Sequence, residues 1–198
     1  HNEFPDAQYL DYEGKFGRKR VQLSSVPLYW SCHPSVNNQD YVPVSYAEAN
    51  YIINMANFKS HSDAGVTLCA KNHYGSLVRF PSQSGYYDLH ENLPSNRGGM
   101  GYYRPIVDLM GHAHIGGKTL LYLIDGLYAG HHPYDDAPTK LNSAPFNGDW
   151  SSGLFVSQDP VAIDSVAFDF LWAEPGWDVD THISGGDDYL HEAAQADD

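Results

Sequence analysis

The chain has 198 residues, with 25 Asp and Glu against 11 Lys and Arg, a formal net charge of −14. At 42% hydrophobic residues it can bury a core, which excludes a disordered polypeptide. The negative balance argues against nucleic acid or anionic lipid as a partner, and no run of about 18 apolar residues exists to cross a membrane.

Lys15, Arg18, Lys19 and Arg20 form a short basic cluster that leads into Val21-Gln22-Leu23. This alternation predicts a turn into a strand. Residues 31–45, rich in Pro, Asn and Ser, predict a loop. Tyr51–Met55 has the length of a buried strand and runs on into Lys59-Ser60-His61. Val66, Cys69 and Ala70 fall on one helical face and predict a helix over 64–72, capped by Ser62 or Asp63 and closed by Gly75. Residues 80–103, dense in Gly, Ser, Tyr and Asn, predict a long loop of the kind that carries function.

Pro105–Met110 opens a helix with proline in its first turn. Thr119–Ile124 is the clearest buried strand and is expected to end at Asp125-Gly126. Residues 127–150 predict a second loop, holding His131-His132 and Asp135-Asp136. Leu154–Ser157 predicts a short strand. Asp159 then caps a helix that starts at Pro160 and runs to about Glu174, with Ile163, Val166, Ala167, Phe170 and Leu171 as its core stripe. A last helix-like segment covers 187–194. Strands alternating with helices predict a single α/β domain over 1–198, with a mostly parallel sheet, flanking helices and long irregular loops. Residues 1–48 and 176–198 are expected at its periphery. The chain starts at His1 rather than Met and stops without a helix-ending signal, so both ends read as cut, the C-terminal portion of a longer protein. Cys32 and Cys69 are too few for a disulfide scaffold or an iron–sulfur cluster, and they are either buried thiols or a pair.

In open α/β sheets, ligands sit beyond the carboxyl ends of the strands. Three segments place polar residues there: Lys59-Ser60-His61, Asp125-Gly126 and Gln158-Asp159. Parallel strands would open all three onto one edge. Lys59, His61, Lys71, Asp125 and Asp159 are therefore the candidate catalytic residues, and Asn72, His73, Asp164 and Trp150 the candidate substrate contacts. Lys71 lies about 10–15 Å along the expected helix from His61, so it joins them only if the segment folds back. A Lys/His group near a helix start suits a phosphate, a carboxylate or a developing oxyanion. His112 and His114, spaced to share a strand face, are candidate ligands for a divalent metal, with Asp125 a third. No phosphate-binding glycine loop, nucleophile elbow or Cys-x-x-Cys motif is present.

The residues that suggest a site also carry a resemblance. Ile53-Asn54 with Lys59 and His61 resembles the pattern I-N-x-x-x-x-K-x-H, and Gly65-Val66-Thr67 with Lys71-Asn72 and Gly75 resembles G-V-T-x-x-x-K-N-x-x-G. Leu123-Ile124-Asp125-Gly126 and Ser157-Gln158-Asp159-Pro160-Val161-Ala162-Ile163-Asp164, similar to S-x-D-P-V-A-x-D, complete the series. Together they resemble DUF362, a domain family of unknown function. The resemblance implies an α/β fold, an additional upstream α/β portion and, as in exported members, a place outside the cytoplasm. Some members carry ferredoxin-like segments, whose cysteines this chain lacks. The expectation is an extracytoplasmic, hydrolase-like, metal-assisted enzyme acting on a polar or carbohydrate substrate. The alternatives are a redox-associated domain and a glycan-binding module that stacks sugars on Trp30, Trp150, Trp172, Trp177 and the tyrosines of 86–103.

Overall fold

The computed structural model describes residues 3–31, 37–132 and 134–196. The pairing of Cys32 with Cys69 lies outside the described residues, while Cys69 is a buried free thiol. Two small sheets precede the main one. β1 (Leu10–Asp11) pairs in parallel with β2 (Lys19–Arg20), and β3 (Leu23–Leu28) pairs antiparallel with β4 (Asp40–Pro43). Helix α1 (Val44–Glu48) follows, so the loop expected over 31–45 ends earlier than its composition suggests.

The central sheet has four strands in the order β6-β5-β7-β8, where β5 is Ile52–His61, β6 is Gly65–Thr67, β7 is Thr119–Gly130 and β8 is Gly153–Ser157. Only β5 and β7 run parallel; β6 and β8 are both antiparallel to their neighbours. The sheet is mixed, not mostly parallel, and the connections explain it. β5 and β7 are joined by a long crossover containing α2 (Cys69–Asn72) and α3 (Pro105–Gly111). β6 returns from β5 through a tight turn, and β8 returns from β7 through a loop without an α-helix among the described residues. Short returns give antiparallel pairs.

The helix expected over 64–72 is replaced by that hairpin. His61 pairs with Gly65 and Lys59 with Thr67. Gly65 has φ +84°, and a side chain there would meet the Gly186 backbone at 3.2 Å, so glycine is required and a helix cannot pass through it. Asp125-Gly126 is not a strand end either. β7 continues to Gly130 across a bulge, because Asn57 pairs with Asp125 while Lys59 pairs with Gly130. A side chain at Gly126 would press on the Phe155 ring at 3.0 Å.

The inner sheet face carries Ala56, Phe58, Tyr122 and Ile124. It packs on α2, on α4 (Pro160–Trp172) and on the core residues of α6 (Asp188–Gln195); α5 (Asp178–Thr181) lies near β5 and β6. Asp159 caps α4, accepting from the N–H groups of Val161 at 2.8 Å and Ala162 at 2.9 Å, with Pro160 in the first turn. The expected stripe on α4 is partly displaced: Ile163, Ala167 and Leu171 are buried, but Val166 is exposed and Phe168 takes an inward place. Glu174, just past α4, is buried and pins the 131–152 loop by accepting from the backbone N–H groups of Asn142 and Ser143. A second core gathers Leu28, Trp30, Val42, Tyr87, Leu89, Leu109 and Ile115. Both flanks thus contribute core, through Leu28 and Trp30 at one end and Trp177, Tyr189 and Leu190 at the other. The outer sheet face is apolar as well: Ile53, Met55, Leu154 and Val156 are each more than half exposed, and Met55, Leu123 and Val156 stand in one cross-strand row.

Candidate active site

The hairpin decides which residues meet. By reversing the chain after His61, it brings α2 back along β5, where it bonds to Asn54 and Met55, and Lys71 acts electrostatically on His61 and Lys59. The three form one electrostatic group. Burial pushes the His61 ring down to about 4, and Lys71 and Lys59 push in the same direction, with Asp63 opposing. Burial lowers the Lys71 amine to about 8, helped by Lys59. Lys59 is lowered by burial too. Its ammonium donates to Thr67 Oγ1 at 3.1 Å across the β5–β6 pair, and Gly130 makes room for its stem, since a side chain there would meet Lys59 Cβ at 3.1 Å.

His61 is oriented locally. The backbone N–H of Asp63 donates to Nδ1 at 3.0 Å, so the neutral ring carries its proton on Nε2. We expect His61 to stay neutral in this tautomer down to about pH 4. Two-bond nitrogen–proton NMR spectra across a pH series would read both facts. A midpoint near 6.5 would show a solvated ring outside this electrostatic group.

Lys71 Nζ lies 4.0 Å from the centroid of the Tyr74 ring, a cation–π contact. It lines a small apolar cavity of about 20 Å³ with Ala64, Val66, Tyr74, Pro94 and Ile106. Lys59 instead opens onto a cleft of about 360 Å³ shared with Asn57, Asp125, Tyr128, His132 and Asp135. Asp125 lines this cleft, and its Oδ1 accepts the Leu127 N–H at 3.1 Å. Sequence reading gave no site role to Tyr128, Gly130, Thr67 or Asp63, naming Asp63 only as a helix cap and Thr67 only within the family-like motif. It noted His132 only as part of the 127–150 loop, and no local pattern marks Tyr128 or Gly130.

Several expected site residues serve other ends. Asn72 Nδ2 donates to Asn54 Oδ1 at 2.8 Å and to the Met55 carbonyl at 3.1 Å, and the buried His73 meets Asn54 Nδ2 at 3.0 Å. These contacts fasten α2 to the edge of β5. Asp164, expected to face a ligand or water, is fully buried. Its carboxylate accepts from the N–H groups of Cys69 and Ala70, both at 2.9 Å, and from Tyr189 Oη at 3.1 Å. Asp159 leaves the group altogether: β8 is antiparallel, Ser157 lies opposite Tyr122 near the start of β7, and Asp159 sits at the sheet edge away from Lys59. Trp150 packs edge-on against Tyr128 at 5.2 Å with Lys140 Nζ 5.2 Å from its ring. Trp30 and Trp177 are core residues, while Trp172 is 42% exposed and His182 stacks on its ring at 3.8 Å.

The metal expectation does not fit the residues. His112 Nε2 contacts the Pro27 carbonyl at 3.2 Å and its Nδ1 accepts from the His114 N–H at 3.1 Å. Asp125 stands six residues up β7 from Thr119, about 20 Å at 3.3 Å per residue. Among the described residues, no three His, Cys, Asp or Glu side chains gather as a ligand set.

The chain is thus a mixed-sheet α/β protein with a Lys/His group at the carboxyl end of its parallel pair and a carboxylate in the adjoining cleft. A family model, Domain of unknown function (DUF362), matches residues 19–169, and the chain belongs to that family. No curated protein and no solved structure matches it.

Proposed function

We propose that the chain is an enzyme acting on a polar, negatively charged small molecule, a carboxylate- or phosphate-bearing compound or sugar, by a hydrolase-type reaction. The position of Lys59 and Lys71 carries this reading. In a chain of net charge −14, both lie partly buried beside His61, and neither is ion-paired with a carboxylate among the described residues. An unpaired, partly desolvated cation is costly in the fold and is retained where a ligand supplies the counter-charge. Lys59 would hold the anionic group. The Nε2–H of His61 would donate to the oxygen on which charge develops. Asp125 would take a proton from the attacking water. Tyr128 supplies a ring face along the cleft for an apolar or sugar part. The acidic, tyrosine-rich composition supports a place outside the cytoplasm and speaks against nucleic acid as partner.

Two measurements test it. Inorganic phosphate and simple carboxylates are titrated by NMR, and nitrophenyl phosphates, esters and glycosides are screened for turnover. Lys59→Ala is expected to weaken anion binding about tenfold, the loss of one charge-assisted contact. Asp125→Ala is expected to keep binding and cut turnover about 100-fold or more. If both variants fold and neither changes binding or turnover, the cleft is not the site.

A further inference from the structure

We propose that the outer face of the central sheet is the surface on which two copies of this chain join, sheet against sheet. The inference goes beyond the reading of the Lys59–Asp125 cleft and does not depend on it.

The face follows from strand register. Successive side chains of a strand point to opposite faces. Ala56, Phe58, Tyr122 and Ile124 point into the core, so Ile53, Met55, Leu121 and Leu123 point away from it. The pairing sets Ile53 beside Leu121 in one row, and Met55, Leu123 and Val156 in the next. Leu154 belongs to a third row, where Asn57 and Asp125 bound the face. The first two rows carry no charged side chain. Ile53, Met55, Leu154 and Val156 are 57–62% exposed, so nothing among the described residues covers them.

Size, shape and charge choose a second copy as the occupant. At roughly 100 Å² from each of these four side chains, with smaller shares from Leu121 and Leu123, the face exposes about 500 Å² of apolar surface, as much as the largest patch on an ordinary monomer. Two such faces joined bury about 1,000 Å² in all, where specific interfaces begin. A patch that is apolar throughout is complementary to itself, as a two-fold interface requires, and two flat sheet faces pack at about 10 Å. Two chains of net charge −14 repel, and they approach at least cost through rows that hold no charge.

Sedimentation velocity on the full chain, from low to high micromolar concentration and in dilute and molar salt, tests it. A dimer is expected that forms with rising concentration and tightens several-fold in high salt, because salt screens the repulsion between two acidic copies. Met55→Lys and Val156→Lys each put a cation into the central row and are expected to weaken the dimer about 100-fold or more. Phe80→Lys, at a side chain 71% exposed in the 80–103 loop, is expected to leave it unchanged, with circular dichroism confirming that all three variants fold. Peroxide oxidation with peptide mapping reads the face without any variant. Met55 is 62% and Met100 51% exposed in a single copy, so in the dimer Met55 is expected to oxidise several-fold more slowly than Met100, and on dilution at a similar rate. A monomer throughout overturns the proposal and leaves the face to a different protein. A dimer that survives both lysine variants at the face, or that leaves Met55 as reactive as Met100, is joined elsewhere and overturns it as well. Dissociation in high salt does the same, since the contact is then one between charges.

Discussion

Asp164→Ala is expected to destabilise the protein by about 2–4 kcal/mol at pH 7, and by more at pH 5. Two opposing effects set the first figure. Removing the carboxylate orphans the buried N–H groups of Cys69 and Ala70 and the Tyr189 hydroxyl, and each buried donor left alone costs about 1–3 kcal/mol. Against that, the wild type carries a fully buried charge whose desolvation outweighs its hydrogen bonds, since burial raises the Asp164 carboxyl from 3.8 to about 6. At about 1.4 kcal/mol per pH unit, keeping that charge at pH 7 costs about 3 kcal/mol, which the alanine variant escapes. The orphaned donors win, but not by their full amount.

The sign of the pH dependence follows from the raised value. A carboxyl titrating higher in the fold than in the unfolded chain contributes stability fully below 3.8 and loses it as pH rises through about 6. Acidification from pH 7 to 5 therefore stabilises the wild type through Asp164 and leaves the variant without that gain. His61 and His73, both held near 4 instead of 6.5, titrate in the same window with the opposite sign. The difference between variant and wild type carries the test, not either curve alone. Urea unfolding at both pH values measures it. A smaller difference at pH 5 than at pH 7 would mean that the carboxylate is better solvated than its burial indicates. The consequence reaches the site, because α2 begins at the two N–H groups that Asp164 holds, and Lys71 is its third residue.

Much of this arrangement was legible along the chain, and the losses share one cause. β5, β7, α3 and α4 each rest on local signals: apolar runs, a proline in the first turn, Asp159 before Pro160. The periodicity of Val66, Cys69 and Ala70 is equally local, yet it misleads. A three-residue strand and a four-residue helix that share an inward face leave the same pattern as one helix. Only Gly65, which meets Gly186 more than a hundred residues away, separates them. The direction of β8 was hidden in the same way, since a loop of 22 residues between β7 and β8 does not announce which way the chain returns. That one error moved Asp159 to the wrong edge. Lys59 and Asp125 line one cleft because their strands are the parallel pair. Asp164 was misread because helical spacing tells which side a residue faces, not that two backbone donors wait there from residues 94 and 95 positions back.

Arg104→Met is expected to cost about 3–5 kcal/mol, the range for breaking a buried charge pair from one side. Arg104 is 2% exposed, and its guanidinium is enclosed by acceptors. Nε donates to Asp188 Oδ2 at 2.9 Å, and the terminal nitrogens donate to the carbonyls of Asn92, Arg97 and Gly99 at 2.7–3.0 Å. Asp188, itself buried, also accepts from the N–H groups of Gly101 and Tyr102. One guanidinium thus ties the long 89–104 loop to α6. Gly185 belongs to the same arrangement, since any side chain there would overlap the Gly99 carbonyl and crowd the guanidinium at 2.7 Å. Removing the cation leaves Asp188 charged and buried and orphans three carbonyls. The pair itself need not be the larger part, because taking both charges out of water offsets much of their attraction. The double variant Arg104→Met/Asp188→Leu separates the two. If the unpaired charge dominates, the double variant recovers a large share of the loss in urea unfolding at pH 7. If the carbonyl contacts dominate, it recovers little, and the loop is held by hydrogen bonds rather than by charge. Both outcomes bear on the site, because Asn92, Leu93 and Pro94 of this loop wall the cavity that Lys71 lines.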